Sequence, residues 1–120
     1  GGELSRIMLS LKSILSNYKC LPTIIFDEID TGVSGEIANS IGRIMKQMSK
    51  NMQVISITHL PQVAAKANNH LKVFKKVKNE KTSTELKNLG FDERVKEIAE
   101  MLSGVQSAES ANDLAKELLN

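Results

Sequence analysis

Two short β-branched runs, Thr23-Ile24-Ile25-Phe26 and Val54-Ile55-Ser56-Ile57, constrain the fold more than any other feature of the chain. The first holds no polar residue beyond its leading threonine, the pattern of a strand buried on both faces of a parallel sheet. Between the runs, Ile37, Ala38, Ile41, Ile44, Met45 and Met48 recur at helical spacing. Strand, helix and strand in this order predict a right-handed βαβ unit. Both strands end in polar residues, the first in Asp27-Glu28 and the second in Thr58-His59. Open parallel sheets bind ligands beyond the carboxyl ends of their strands, which is where this unit delivers those groups.

The remainder reads as further helices and a hairpin. Leu4, Ile7, Met8, Leu11, Ile14, Leu15 and Tyr18 predict an amphipathic helix from about Glu3 to Tyr18, broken over Asn17 to Pro22. A short helix follows Pro61, and Leu71 to Val77 with Ser83 to Leu89 predict two strands around a turn at Asn79-Glu80. Asp92 is positioned to cap a helix carrying Val95, Ile98, Ala99 and Leu102, and Ser110 with Asp113 resembles a capping box before Leu114, Ala115 and Leu118. The expected fold class is therefore α/β, with parallel strands, flanking helices and a β-hairpin.

Composition narrows the function classes. The chain has 120 residues, one domain's worth, with 41% hydrophobic and 25% charged residues, which excludes a disordered chain. A net charge of +2 is too near balance to argue by itself for a nucleic-acid or membrane partner. The single cysteine, Cys20, cannot close an internal disulfide, and no apolar stretch reaches the length of a membrane span. A cytoplasmic protein is the expectation. The chain opens at Gly1-Gly2, without methionine and directly ahead of helical periodicity, and so reads as a piece of something longer.

Consecutive strand residues point to opposite sides, so Asp27 and Glu28 are poorly placed to share a proton and should have separate tasks. An aspartate ending a buried strand can hold Mg²⁺ against nucleotide phosphates, and a neighbouring glutamate can orient and polarise an attacking water. Acids after a strand more often serve as solvated loop residues or caps; it is the shared sheet edge with His59 that points to phosphate-ester chemistry. A neutral His59 imidazole could hydrogen-bond a terminal phosphate or that water. With only His70 as a second histidine, a zinc site is not expected. Gly1 and Gly2 at a helix start offer bare N–H groups to an anion, while Glu3 puts negative charge in the same turn; the residues alone leave that reading open. The phosphate loop Gly-x-x-x-x-Gly-Lys-Ser/Thr is absent from the sequence, so these residues cannot hold a nucleotide in the usual way.

The segments "GGELSR", "TIIFDEIDTGVSGEIA" and "VISITHLPQVAAKANNH" together resemble the C-terminal half of an ATP-binding-cassette head of the SMC-like ATPase family, on the side of that family concerned with bacterial DNA repair. The resemblance implies a partial P-loop NTPase: residues 1–120 as the C-terminal lobe of a head whose phosphate-loop (Walker A) half lies elsewhere. It implies ATP and Mg²⁺ as ligands, with Asp27 the Walker B aspartate on the metal, Glu28 the catalytic glutamate and His59 the switch histidine. Gly1 and Gly2 would be the end of the signature motif, touching ATP held by a second protomer. Asp30, Gly32 and Ser34 would belong to the D-loop at the dimer seam. The implied partners are the Walker A half, the second protomer and DNA, with no membrane and with a place at the nucleoid, in double-strand break repair and recombination.

Other readings are a transporter ATPase, a non-catalytic dimerisation module and a DNA-binding module. A transporter would carry Gln-Arg after the signature glycines and Asp-Glu-Pro in Walker B, where this chain has Glu3-Leu4-Ser5-Arg6 and Asp27-Glu28-Ile29-Asp30. Lys72, Lys75, Lys76, Lys78 and Lys81 in the hairpin, with Lys87 beyond, raise direct DNA contact. With Phe74 as their one aromatic neighbour, they read better as lysines that keep a sheet edge unpaired.

Overall fold

The computed structural model describes residues 9, 10, 13, 14, 22–103 and 108–120. Gly1, Gly2 and most of the expected opening helix lie outside these, although Leu9, Ser10, Ser13 and Ile14 are helical. The chain divides into two compact units, Gly1–Lys66 and Ala67–Asn120, each condensed around its own apolar residues.

In the first unit β1 (Thr23–Asp27), α1 (Gly35–Met48), β2 (Gln53–Ile57) and α2 (Pro61–Ala64) follow in order. β1 and β2 pair in parallel, with Ile25 beside Ile55 and Asp27 beside Ile57. The ladder runs past both ends of β1: the Gln53 N–H donates to the Pro22 carbonyl, and the Glu28 N–H to the Ile57 carbonyl, each at 2.9 Å. Ile24 and Phe26 from one face of β1 enter a core with Leu9, Ile41, Met45, Met48 and Val63. α1 buries Ala38, Ile41, Gly42, Met45 and Met48, the stripe expected of a core-facing helix, while Ile37 stays outside it.

β1 departs from the expectation of burial on both faces. Its burial alternates, and Ile25 is 57% exposed, with Ile55 and Ile57 beside it at 43% and 51%. The reason is one-sided cover: the core residues of α1 and α2 lie against Ile24 and Phe26, and no described residue plays that part on the other face.

Gly42 sets how closely α1 approaches α2. A methyl group there would lie 3.1 Å from the Gln62 carbonyl oxygen and 3.5 Å from the Val63 Cα, both backbone atoms with little freedom to give way.

In the second unit β3 (Leu71–Lys78) and β4 (Lys81–Asn88) form the expected antiparallel hairpin. Asn79 and Glu80 both take positive φ, 52° and 62°, as a two-residue turn matched to strand twist requires. Leu71, Val73, Val77 and Leu86 share an exposed face. The other face meets carboxylates, with Lys72 paired to Glu97, Lys87 to Glu93 and Lys76 to Glu85. α3 (Phe91–Ser103) packs on α4 (Ala108–Leu119), burying Val95, Ile98, Leu102, Ala111 and Ala115.

Both caps expected in this unit are corrected. Asp92 sits inside the first turn of α3, because the helix starts beyond Gly90, whose N–H donates to Glu93 Oε1 at 3.3 Å and whose carbonyl accepts the Arg94 N–H. Ser110 is likewise internal, since α4 has begun by Ala108.

His70, just ahead of β3, is half-buried with Nδ1 unpartnered among the described residues. Burial foremost, with Arg94 and Lys72 adding to it against Glu97, holds its pKa below the usual value. The folded state therefore favours neutral His70, and its stability contribution is present above the unfolded pKa, about 6.5, and lost as pH falls below that. Thermal melts of His70→Gln and the parent across this range should diverge below about pH 6.5, the variant losing less stability. Separately, Gly42→Ala should lower stability by roughly 1–3 kcal/mol in urea denaturation, because backbone crowding against Gln62 and Val63 outweighs the roughly 1 kcal/mol that alanine gains in helix propensity.

Candidate active site at the carboxyl ends of the parallel strands

The parallel register determines what meets at this edge. Asp27 ends β1 on the uncovered face, beside Ile57, and His59 lies two residues past the end of β2. The side chains of Asp27, Glu28 and His59 are all exposed, and none has a hydrogen bond or ion pair among the described residues. Three polar groups at one strand end thus keep their donors and acceptors for something other than the fold.

Glu28 is not simply the next strand residue. Its φ is 52°, in the left-handed region that a residue with a Cβ enters at a cost of order 1 kcal/mol. Three hydrogen bonds hold it there: its N–H completes the ladder on Ile57, and its carbonyl accepts both the Thr31 hydroxyl at 2.9 Å and the Thr31 N–H at 3.4 Å. The alternation that separates neighbouring side chains on a strand therefore stops at Asp27, and the turn re-aims Glu28. A non-glycine residue kept in this region at a strand end is a candidate functional position, since the surrounding structure must over-determine it.

The loop after Glu28 turns on Gly32, φ 81°, and Gly35, φ 56°, before α1. Gly32 and Ser34 are exposed, and Ser34 stands at the start of α1 without a side-chain cap bond. Asp30 differs from them: it is 1% exposed and accepts a hydrogen bond from the Thr58 hydroxyl through Oδ2. Of the residues expected at the site, the structure brings Asp27, Glu28, Asp30 and His59 to one edge; Gly1 and Gly2 fall outside the described residues. Thr58 is the member that sequence reasoning undervalued. Its signal was a hydroxyl directly before His59.

Among the described residues no group of three or more His, Cys, Asp or Glu side chains could enclose a metal ion. Asp27 alone still fits Mg²⁺, which is commonly held through one or two carboxylates plus substrate phosphates and keeps several waters.

No protein-family model matches the chain. Its fold is that of an SMC ATPase head. The structure superposes with a TM-score of 0.67 on an Smc head domain with a coiled coil and joint from Pyrococcus yayanosii, at 21% identity over 97% of this chain and 19% of that one. It superposes with a TM-score of 0.66 on a protein studied for ATP-driven dimerization and DNA-stimulated activation of SMC ATPases, at 22% identity over 89% of this chain and 63% of that one. Within that class the sequence is RecN-like along its whole length. It is 48% identical over 120 residues to the DNA repair protein RecN of Halalkalibacterium halodurans, covering 100% of this chain and 21% of the relative. The chain thus spans about a fifth of the length of the curated relatives it matches.

Replacing Glu28 by glycine removes the left-handed cost together with a side chain that has no partner in the fold. Glu28→Gly should raise stability by about 1 kcal/mol, read as a higher melting temperature; an unchanged or lower value would remove the claim of local strain.

Proposed function

We propose that the chain is the C-terminal lobe of a RecN-type ATPase head, acting in DNA repair and recombination, whose ATP hydrolysis controls the joining and release of two heads. One observation carries the reading: Asp27, Glu28 and His59, all uncommitted to the fold, stand together at the carboxyl ends of two parallel strands. The likeness of these 120 residues to about a fifth of a DNA repair protein supports it.

Asp27 would hold Mg²⁺, which supplies charge neutralisation of the phosphates as the transferred group loosens. Glu28 orients a water for in-line attack on the γ-phosphorus and draws on its proton. The new P–O bond forms as the bond to the bridging oxygen of ADP breaks, giving ADP and phosphate. His59 donates a hydrogen bond to a γ-phosphate oxygen or holds the same water. The phosphate loop comes from the Walker A half outside these 120 residues, and Gly1-Gly2 of a second protomer closes on the nucleotide from the other side. Gly32 and Ser34, exposed in the loop after Glu28, suit the seam between protomers.

The uncovered apolar face of Ile25, Ile55 and Ile57 supports a Walker A half that completes this sheet, since three large aliphatic side chains in water otherwise cost burial energy. DNA would be engaged by the intact protein, at the nucleoid. No helix among the described residues is long and apolar enough to cross a membrane.

The test is Mg²⁺-ATP turnover by the intact protein, wild type beside Glu28→Gln, with and without linear DNA. The variant should keep ATP binding, accumulate head dimers and lose turnover by about 10²-fold or more. Equal rates would return these acids to the role of solvated loop residues.

A further inference from the structure

The two loops leaving the sheet edge are tied together beneath the exposed groups, and the tie runs through a buried charge. Among the described residues Asp30 is the charged residue that is buried, 1% exposed. Its Oδ2 accepts the Thr58 hydroxyl hydrogen, and Thr58 Oγ1 in turn accepts the Leu60 N–H at 3.0 Å. Thr58 and Leu60 are the two neighbours of His59, so both flanks of that residue are fastened to one oxygen atom. At the other end of the tie, Asp30 belongs to the turn that Thr31 closes on the Glu28 carbonyl. The imidazole of His59 is itself exposed and free of partners among the described residues.

Stability does not account for this arrangement. Taking a carboxylate out of water is expensive, and one neutral hydroxyl compensates it poorly. Its second oxygen, Oδ1, is buried with no partner among the described residues. An apolar pair of the same shape would serve the core at least as well. A buried polar pair kept at such a cost fixes one geometry among several, and the geometry fixed here is that of His59 relative to Glu28.

We propose that Asp30 is a positioning residue of the hydrolytic site, acting through Thr58 to hold His59 in register with Glu28. The inference rests on the ATPase reading above and assigns Asp30 an inward role, rather than contact with nucleotide or with a second protomer. A misplaced histidine then slows the chemical step while ATP binding, which rests on the phosphate loop, is largely kept.

The experiment uses the intact protein and reads kcat and KM for ATP. Thr58→Val should lower kcat at least about tenfold with KM changed less than about threefold, and Thr58→Ser, which restores the hydroxyl, should recover most of it. Because Thr58→Val strands a buried carboxylate and could unfold the loop, the deciding variant is the double substitution Asp30→Leu with Thr58→Val, which removes both polar groups at nearly constant shape. It should melt close to the wild-type temperature, the stranded carboxylate being gone and only the part-buried Leu60 N–H losing its acceptor, and remain about tenfold or more slow in kcat. A double variant with wild-type kcat would show the pair to be purely structural and overturn the proposal, with the ATPase reading intact provided Glu28→Gln is inactive. Wild type and Glu28→Gln turning over equally would overturn both.

Discussion

The hydrogen bond from the Glu28 N–H to the Ile57 carbonyl is the rung on which the site depends. It extends the parallel ladder one residue beyond β1 and so fixes where the chain leaves the sheet. Once that point is fixed, Thr31 can close on the Glu28 carbonyl, and Glu28 is held at its positive φ. The same rung brings Asp30 level with Thr58, since the register sets Asp27 beside Ile57. Backbone pairing thus places the three candidate side chains without using any of them as a structural bond.

The division of labour between polar groups follows from this. Asp27, Glu28 and His59 lie in water with open hydrogen-bonding capacity, whereas the Thr58 hydroxyl is committed to Asp30 Oδ2 and to the Leu60 N–H. In the second unit charge is handled differently. Lys72, Lys76 and Lys87 meet carboxylates on the hairpin and on α3, mostly in partial exposure, where such pairs contribute little to stability. Their evident effect is to use up part of the hairpin's positive charge, which suits lysines that keep a sheet edge solvated rather than lysines waiting for a polyanion.

Much of this was legible in the sequence because it follows from periodicity. The βαβ unit, the short helix at Pro61 and the hairpin at Asn79-Glu80 are each written in apolar spacing and in turn residues, and so is the delivery of Asp27-Glu28 and His59 to one edge. Boundaries were less legible. The Gly90 start of α3 and the early start of α4 displaced Asp92 and Ser110 from their expected caps, because the backbone of Gly90 and the Glu93 side chain serve the helix start as well as an aspartate would. Two features had no local signal at all. The conformation of Glu28 depends on a partner strand twenty-nine residues away, from Ile57, and the burial of Asp30 depends on a threonine that only the register brings near. The one-sided burial of β1 also escaped the pattern, since an uninterrupted aliphatic run states only that a strand suits burial on both faces.

That one-sided sheet has a consequence for the order in which such a chain condenses. Parallel pairing of β1 with β2 must await closure of the segment that carries α1, so the helical face, with Ile24 and Phe26, forms as part of a local unit. The face bearing Ile25, Ile55 and Ile57 is then presented already ordered, its strands held at a fixed spacing. Whatever covers it meets a preformed landing surface and surrenders its own disorder alone. Left uncovered, the same surface is open to any apolar segment nearby, which is the hazard of an ordered sheet face in water.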